Sequence, residues 1–462
     1  MSPSLSKVPG SFRDPSGFLF VSEGTLYRQI NSCYREHFEL LVSSGLHQEL
    51  VDAGMLVPHE KTDFSLAQSP EAYAIIRPRL LPFISYPYEW CFSQLRDAAH
   101  LTLQIQKKAF AKGMVLKDCS AYNVQFDRGK PIFIDTLSFE KYREGEPWVA
   151  YRQFCQHFLA PLALMALRDV RMNQLMRVHI DGVPLDLASR LLPWTSKLDF
   201  GLLSHIHLHA ASQARYGGSG IAKSIHRMSR IGFQGIIDNL ESAVRKLTLR
   251  LPKTEWGSYY SETNYSPQAR EEKERLVSDW VKEVRPDMVW DLGANTGVFS
   301  RLAAAHAKRV ISFDVDPVAV ELNYRETGKE TGSPVLPLLL DMTNPSPGIG
   351  WAHRERQSFA DRGPADCILA LAMVHHLAIS NNVPLDRIAA LLSSLGRALI
   401  IEWVPKNDSQ VQRLLASRDD IFNGYTQTDF EKSFGEYFSI QRKETVGDSV
   451  RVLYLMTGIS KL

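Results

Sequence analysis

Val289-Trp-Asp-Leu-Gly-Ala-Asn-Thr-Gly-Val-Phe-Ser300 is the stretch that decides the fold of half of this chain. An apolar run ending in Asp291 reads as a buried strand, Gly293 to Gly297 as a turn, and Val298 onward as the start of a helix. The two glycines let backbone approach a ligand closely. Asp314, at the expected end of the next strand, can accept hydrogen bonds from ribose hydroxyls. The combination suits an adenosyl ligand. A nicotinamide dinucleotide turn would need G-x-G-x-x-G to seat a pyrophosphate at a helix N-terminus. Here the glycines stand four apart, and Asp291 would repel phosphate while favouring a cationic sulfonium. The plain alternative is a glycine turn that holds no ligand.

Outward from this stretch, the chain from about residue 256 alternates helical and β-branched segments, the pattern of a doubly wound α/β sheet. Helices are expected at 266–282, 297–307, 317–327 and 425–437. Strands are expected at 288–292, 309–313, 335–340, 367–372 and 397–401, followed by a closing hairpin of 439–443 and 450–456 around Gly447-Asp448. Ligands of open α/β sheets bind beyond the carboxyl ends of the strands, where Asp291, Asp314, Asp341, His375 and Glu402 would converge. Cys367 lies in an apolar strand pattern and reads as a packed thiol.

Asp291-Leu-Gly-Ala-Asn-Thr-Gly297, Phe313-Asp-Val-Asp316, Leu340-Asp341-Met342 and Leu369-Ala-Leu-Ala-Met-Val-His-His-Leu377 resemble four motifs of class I S-adenosylmethionine-dependent methyltransferases, over most of residues 256–462. The resemblance implies a Rossmann-like seven-stranded sheet with one reversed strand, and S-adenosyl-L-methionine as cofactor. It implies a donor site framed by Asp291, Gly293, Asn295, Gly297, Asp314 and Asp341, with no metal in this domain. The acceptor would be a small molecule or RNA. The absence of Asn-Pro-Pro-Tyr or Asp-Pro-Pro-Tyr after the fourth strand speaks against exocyclic base amines. A hydroxyl or ammonium acceptor needs proton removal, and His375 and His376, titrating near neutrality, are the candidate catalytic bases; either could instead pack the turn. Trp256, Tyr259, Tyr260 and Tyr265 form an aromatic segment suited to closing over the donor or to core packing, and Tyr265 is counted with the cofactor-binding residues.

Residues 1–193 read differently. A hairpin of 17–21 and 25–30 turns at Glu23-Gly24, a helix is expected at 31–44, a strand at 73–80 and a long helix at 88–112. There follow Leu116-Lys-Asp-Cys-Ser-Ala-Tyr-Asn123 and Pro131-Ile-Phe-Ile-Asp135, which resemble the catalytic segment of protein-kinase-like and aminoglycoside-phosphotransferase-like folds. That resemblance implies an α+β kinase-like domain in which Asp118 orients a hydroxyl. Asn123 and Asp135 would hold Mg with ATP or GTP. Departures are visible: no G-x-G-x-x-G, no V-A-I-K lysine, and Asp135-Thr-Leu in place of Asp-Phe-Gly, with Arg28 the basic substitute on the third strand. Asp118 and Asn123 would equally shape a turn.

Between the two domains, 194–255 reads as a helical basic bridge carrying Arg215, Lys223, Arg227, Arg230, Arg245, Lys246, Arg250 and Lys253, suited to a polyanion or to a solvated face, with Tyr216-Gly-Gly-Ser-Gly220 as a hinge. The net charge of +2 over 462 residues carries no global nucleic-acid signature. Five scattered cysteines without C-x-x-C spacing argue against a disulfide framework or a zinc site. The first ten residues carry no secretory or transit pattern, and the apolar run 158–167 is too short to span a bilayer, so a cytoplasmic protein without membrane contact is expected. The layout is also similar to long bacterial methyltransferases described as host-specificity nodulation proteins. Three readings follow: a methyltransferase whose N-terminal domain recruits or positions substrate, a bifunctional kinase-methyltransferase, or a non-catalytic adenosyl-binding regulator.

Overall fold

The computed structural model describes residues 5–210, 227–251, 265–416 and 419–459. They divide into one unit of Met1–Arg250 with Gly348–Arg356, and a second of Leu251–Pro347 with Gln357–Leu462.

In the first unit, β1 (Leu5–Lys7), β2 (Gly17–Ser22), β3 (Thr25–Asn31), β4 (His59–Lys61) and β5 (Ala72–Pro78) form an antiparallel sheet of order β1-β2-β3-β5-β4. The expected β2–β3 hairpin turns on Glu23 and Gly24, whose φ of 50° and 75° give the left-handed pair that a two-residue hairpin demands. Helix Arg35–Ser43 follows β3 and buries Phe38 in a cluster with Ile30, Tyr34 and Ile76. The long helix Phe92–Ala111 leads into two short antiparallel pairs, β6 (Met114–Leu116) with β9 (Phe139–Lys141), and β7 (Val124–Asp127) with β8 (Lys130–Phe133).

The expected bridge is not a separate body. Helix Arg230–Lys246 groups with the first unit because Phe233 stacks on Phe110 with centroids 4.3 Å apart, and Lys107 pairs with Asp238 and Glu241 at 2.7 and 2.5 Å. Arg215, Lys223, Lys253 and the glycine-rich segment around Gly217 lie outside the described residues. Gly348–Arg356 also belongs to this unit: Arg13 forms a two-pronged ion pair with Glu355 at 2.7 and 3.0 Å, and the Arg356 guanidinium lies 4.3 Å from the centre of the Tyr122 ring.

The second unit holds β10 (Met288–Leu292), β11 (Arg309–Asp314), β12 (Val335–Leu339), β13 (Ala365–Ala370), β14 (Gly396–Trp403), β15 (Phe438–Thr445) and β16 (Val452–Gly458). Their order is β12-β11-β10-β13-β14-β16-β15, parallel from β12 to β14, with β16 antiparallel to both neighbours. This is the seven-stranded sheet with one reversed strand. Parallel strands buried on both faces must be apolar almost throughout. Leu276, Val277, Trp280 and Val281 of helix Pro267–Val284 accordingly cover Val289, Val310, Leu369 and Cys367, the last packed as the sequence suggests. Helices start where polar caps precede prolines: Ser266 accepts from the Ala269 N–H, and Asp316 from the Val318 N–H. Strand order reverses beside β10, so a ligand cleft is expected at the carboxyl ends of β10 and β13. Among the described residues, no helix is long and apolar enough to cross a membrane.

Candidate active site

β10 carries Asp291 to the sheet edge, and the turn after it is pinned to β11 by the N–H groups of Gly293 and Ala294, which donate to the Phe313 carbonyl at 2.8 and 2.9 Å. Three residues of the turn have positive φ: Gly293 at 76°, Asn295 at 50° and Gly297 at 77°. A Cβ on Gly297 would stand 2.2 Å from Asn323 Oδ1, so both conformation and close packing demand glycine there. A Cβ on Gly293 would meet nothing nearer than Met373 Sδ at 3.8 Å, so that glycine serves its φ and keeps its face open.

The acids are held by hydrogen bonds to specific donors. Ser300 Oγ donates to Asp291 Oδ2 at 2.6 Å, while burial raises the Asp291 carboxyl to about 7. Asp314 accepts the Asn295 N–H at 2.7 Å on one oxygen and the Asp316 N–H at 2.8 Å on the other. Burial still raises it to about 6 against those bonds. Each carboxylate oxygen keeps a second lone pair for a ribose hydroxyl.

Asp291, Gly293, Asn295 and Tyr265 line an open cleft together with Lys273 and Ala372. The lining fits S-adenosylmethionine. It offers the Asp291 carboxylate for an ammonium or sulfonium, and a glycine turn whose face is open at Gly293.

Not every expected residue reaches the cleft. Gly297 and Asp314 are not among the lining residues, although Asp314 holds the turn through the Asn295 N–H. Asp341, exposed at the end of β12, accepts from the N–H and hydroxyl of Thr343 at 2.8 and 2.6 Å and is not among the lining residues. His375 and His376 stack with ring centroids 4.1 Å apart and also stand outside the lining. His375 is buried with Nδ1 lacking a hydrogen-bond partner. The expectation that both titrate near neutrality is corrected. Burial, His376, Arg451 and Lys273 push His375 well below its ordinary value, and burial with Arg451 lowers His376 to about 4. Trp256, Tyr259 and Tyr260 lie outside the described residues.

The sequence reading missed a buried charge network beneath the cleft. Lys273 Nζ donates to Glu402 Oε2 at 2.7 Å, the Tyr265 hydroxyl donates to Glu402 Oε1, and Arg451 binds Asp408 through Nε and Nη2 at 2.8 and 3.1 Å. One signal was available. Lys273 shares the apolar stripe Ala269, Leu276, Val277 and Trp280 of its helix, a position where a charge requires a partner.

In the first unit, Asp118, Asn123 and Asp135 do come together. Asn123 hydrogen-bonds Asp118, whose carboxyl is raised by burial and by Asp135. The Asp135 carboxylate is already engaged, by Arg28 and by Ser138 Oγ at 2.6 Å. Burial would raise it, yet Arg28, Ser138 and the Leu137 N–H hold it below its ordinary value. Of the basic bridge residues, Arg230 pairs with Glu144 at 3.4 Å and Arg245 with Glu241 at 3.1 Å.

No protein-family model matches the chain. Nodulation protein NoeA of Rhizobium meliloti (strain 1021) is 36% identical over 461 residues, covering 98% of this chain and 96% of the relative. The chain belongs to the NoeA family. The resemblance to nodulation proteins therefore holds across both units. Among solved structures, the N-methyltransferase NodS from Bradyrhizobium japonicum WM9 is 14% identical and covers 42% of this chain and 98% of its own, with a TM-score of 0.31. Magnesium protoporphyrin IX methyltransferase from Synechocystis PCC 6803 is 17% identical and covers 43% and 91%, with a TM-score of 0.31. The second unit of this NoeA relative has the seven-stranded order with one reversed strand, with the glycine turn and the Asp291 and Asp314 carboxylates at the carboxyl edge of β10 and β11.

Proposed function

We propose that the protein moves a methyl group from S-adenosylmethionine to a small-molecule or RNA acceptor at the carboxyl edge of β10 and β13, with the first unit recruiting or positioning that acceptor. The observation that carries this reading is the cleft lined by the Gly293–Asn295 turn and Asp291, at the point where strand order reverses. The donor supplies an electrophilic methyl group on a sulfonium. Asp314 would hold its ribose and Asp291 its cationic end, while the apolar walls Phe299 and Leu371 exclude water and align the acceptor. Kinship with a nodulation protein supports a role in the same process. Action in the cytoplasm accords with five cysteines that are all free.

The first unit is read as a kinase-like fold. Support comes from the antiparallel β1-β2-β3-β5-β4 sheet with a helix after β3, and from Asp118, Asn123 and Asp135 in one cluster beside β6 to β9. We assign it recognition rather than phosphoryl transfer, because Arg28 takes the carboxylate that a magnesium ion would need. Calorimetry with MgATP on the full chain separates the two: recognition predicts no magnesium-dependent binding, and a magnesium-dependent site overturns it. The methyl-transfer reading is tested by incubating the full chain with methyl-labelled donor and separate metabolite and RNA extracts. Label in one fraction is expected and names the acceptor class. Donor binding without transfer to either fraction would favour the non-catalytic regulator.

A further inference from the structure

Glu402 lies near the carboxyl end of β14 and is fully buried. Ribose-binding Asp314 ends β11, on the opposite side of β10 from β13 and β14.

Four groups face the Glu402 carboxylate. Lys273 Nζ, from the helix before β10, is 2.7 Å from Oε2, and the Tyr265 hydroxyl donates to Oε1. Arg451 Nη1, just before β16, is 3.9 Å from Oε1 and is itself held by Asp408. The Ala372 N–H, in the turn after β13, is the fourth, and Ala372 adopts a φ of 50° there. Glu402 is not among the residues lining the cleft, whereas Tyr265 is, and Lys273 Nζ lies 3.4 Å from the phenol oxygen. The phenol therefore links the cleft to a buried carboxylate and a buried amine.

Building on the methyltransferase reading, we propose that Tyr265 is the proton acceptor of the reaction and Glu402 the proton's destination, and that the methyl acceptor is an amine or hydroxyl that must lose a proton. As the acceptor nitrogen or oxygen bonds the methyl carbon and the carbon–sulfur bond breaks, its N–H or O–H proton passes to the Tyr265 oxygen while the phenol proton passes to Glu402. The positive charge lost at sulfur is matched by the negative charge lost at the carboxylate. Burial raises Glu402 to about 7 against the pull of Arg451, so the carboxylate can take up a proton near neutrality, while burial with Arg451 lowers Lys273 well below its ordinary value. A thioether or tertiary amine acceptor would leave the relay without a task.

The test uses full-length Tyr265→Phe, which keeps the ring and removes only the oxygen, and Glu402→Gln. Methyl-labelled donor with separate metabolite and RNA extracts serves as the probe, and S-adenosylhomocysteine calorimetry reports donor binding separately. We expect Tyr265→Phe to bind S-adenosylhomocysteine like the parent chain while label transfer at pH 7 falls about 10²- to 10⁴-fold. The residual rate should climb with pH as the acceptor ionises unaided. An unchanged rate and pH profile, or donor affinity falling in step with the rate, overturns the relay. A parent chain that does not bind S-adenosylhomocysteine, or binds it and labels nothing, overturns the methyltransferase reading and the relay with it. Circular dichroism checks that Glu402→Gln is folded, and Tyr265→Phe decides alone if it is not.

Discussion

Replacing Gly297 by alanine is expected to damage the second unit through two separable costs. The new Cβ would sit 2.2 Å from Asn323 Oδ1 and 2.5 Å from Cγ and Nδ2, and Asn323 is 1% exposed on helix Pro317–Thr327 with no room to retreat. Its amide oxygen also faces Arg301 Nη1 and the Thr327 hydroxyl, each at 3.5 Å. Forcing a φ of 77° on alanine costs about 1–2 kcal/mol, and overpacking adds about 1–3 kcal/mol. Together they predict a loss of about 2–5 kcal/mol. Native-state hydrogen exchange at the β10 and β11 amides reads the opening of this unit independently of the first. Asn323→Ala removes the obstruction but not the backbone strain, so Gly297→Ala with Asn323→Ala should be about 1–3 kcal/mol better than the sum of the single losses. Additive losses, within about 0.5 kcal/mol, would refute the steric argument.

Donor binding should depend on pH. Asp291 near 7 and Asp314 near 6 are partly protonated at pH 6. A cationic donor favours their ionised forms, so S-adenosylmethionine affinity should rise about tenfold from pH 6 to pH 8 and then level off. Calorimetry in buffers of different ionisation enthalpy should detect proton release, and proton uptake would contradict the assignment. Lys273→Met strands the Glu402 carboxylate beside one fewer cation and should cost about 3–5 kcal/mol in the same exchange measurement; a loss below 1 kcal/mol would mean the pair is not a buried ion pair. Arg28→Ala leaves Asp135 without its cation. In the parent chain the lowered Asp135 value gives stability that is present above the unfolded pKa and lost as pH falls through the folded one. The Arg28→Ala penalty, read from exchange at β7 and β8 amides, should therefore be larger at pH 7 than at pH 3, and a pH-independent penalty would contradict the pairing.

Much of the second unit was legible because its signals are local. The bounds of β10 and of helix Pro317–Thr327 match the expected ones, since an apolar run between a proline or acid and a glycine leaves little choice of ends. The glycine turn and Asp314 were legible for the same reason. What stayed hidden depends on contacts between distant residues. Lys273 and Glu402 lie 129 positions apart, and Arg13 and Glu355 lie 342 apart, so no window of sequence reveals the buried network or the membership of Gly348–Arg356 in the first unit. The histidine pair misled because ordinary solution pKa values do not register burial, which here acts together with Arg451. The partners of Arg230–Lys246, Glu144 and the Phe110 ring, were not legible either, since they lie more than 80 positions away in the chain.

The most direct test of the account is calorimetric titration of the full chain with S-adenosylhomocysteine, alongside Asp314→Ala and Asp135→Asn. The account predicts one site per chain, abolished by Asp314→Ala and untouched by Asp135→Asn. Binding that survives Asp314→Ala, or no binding at all, would contradict a donor site at the carboxyl edge of β10 and β11.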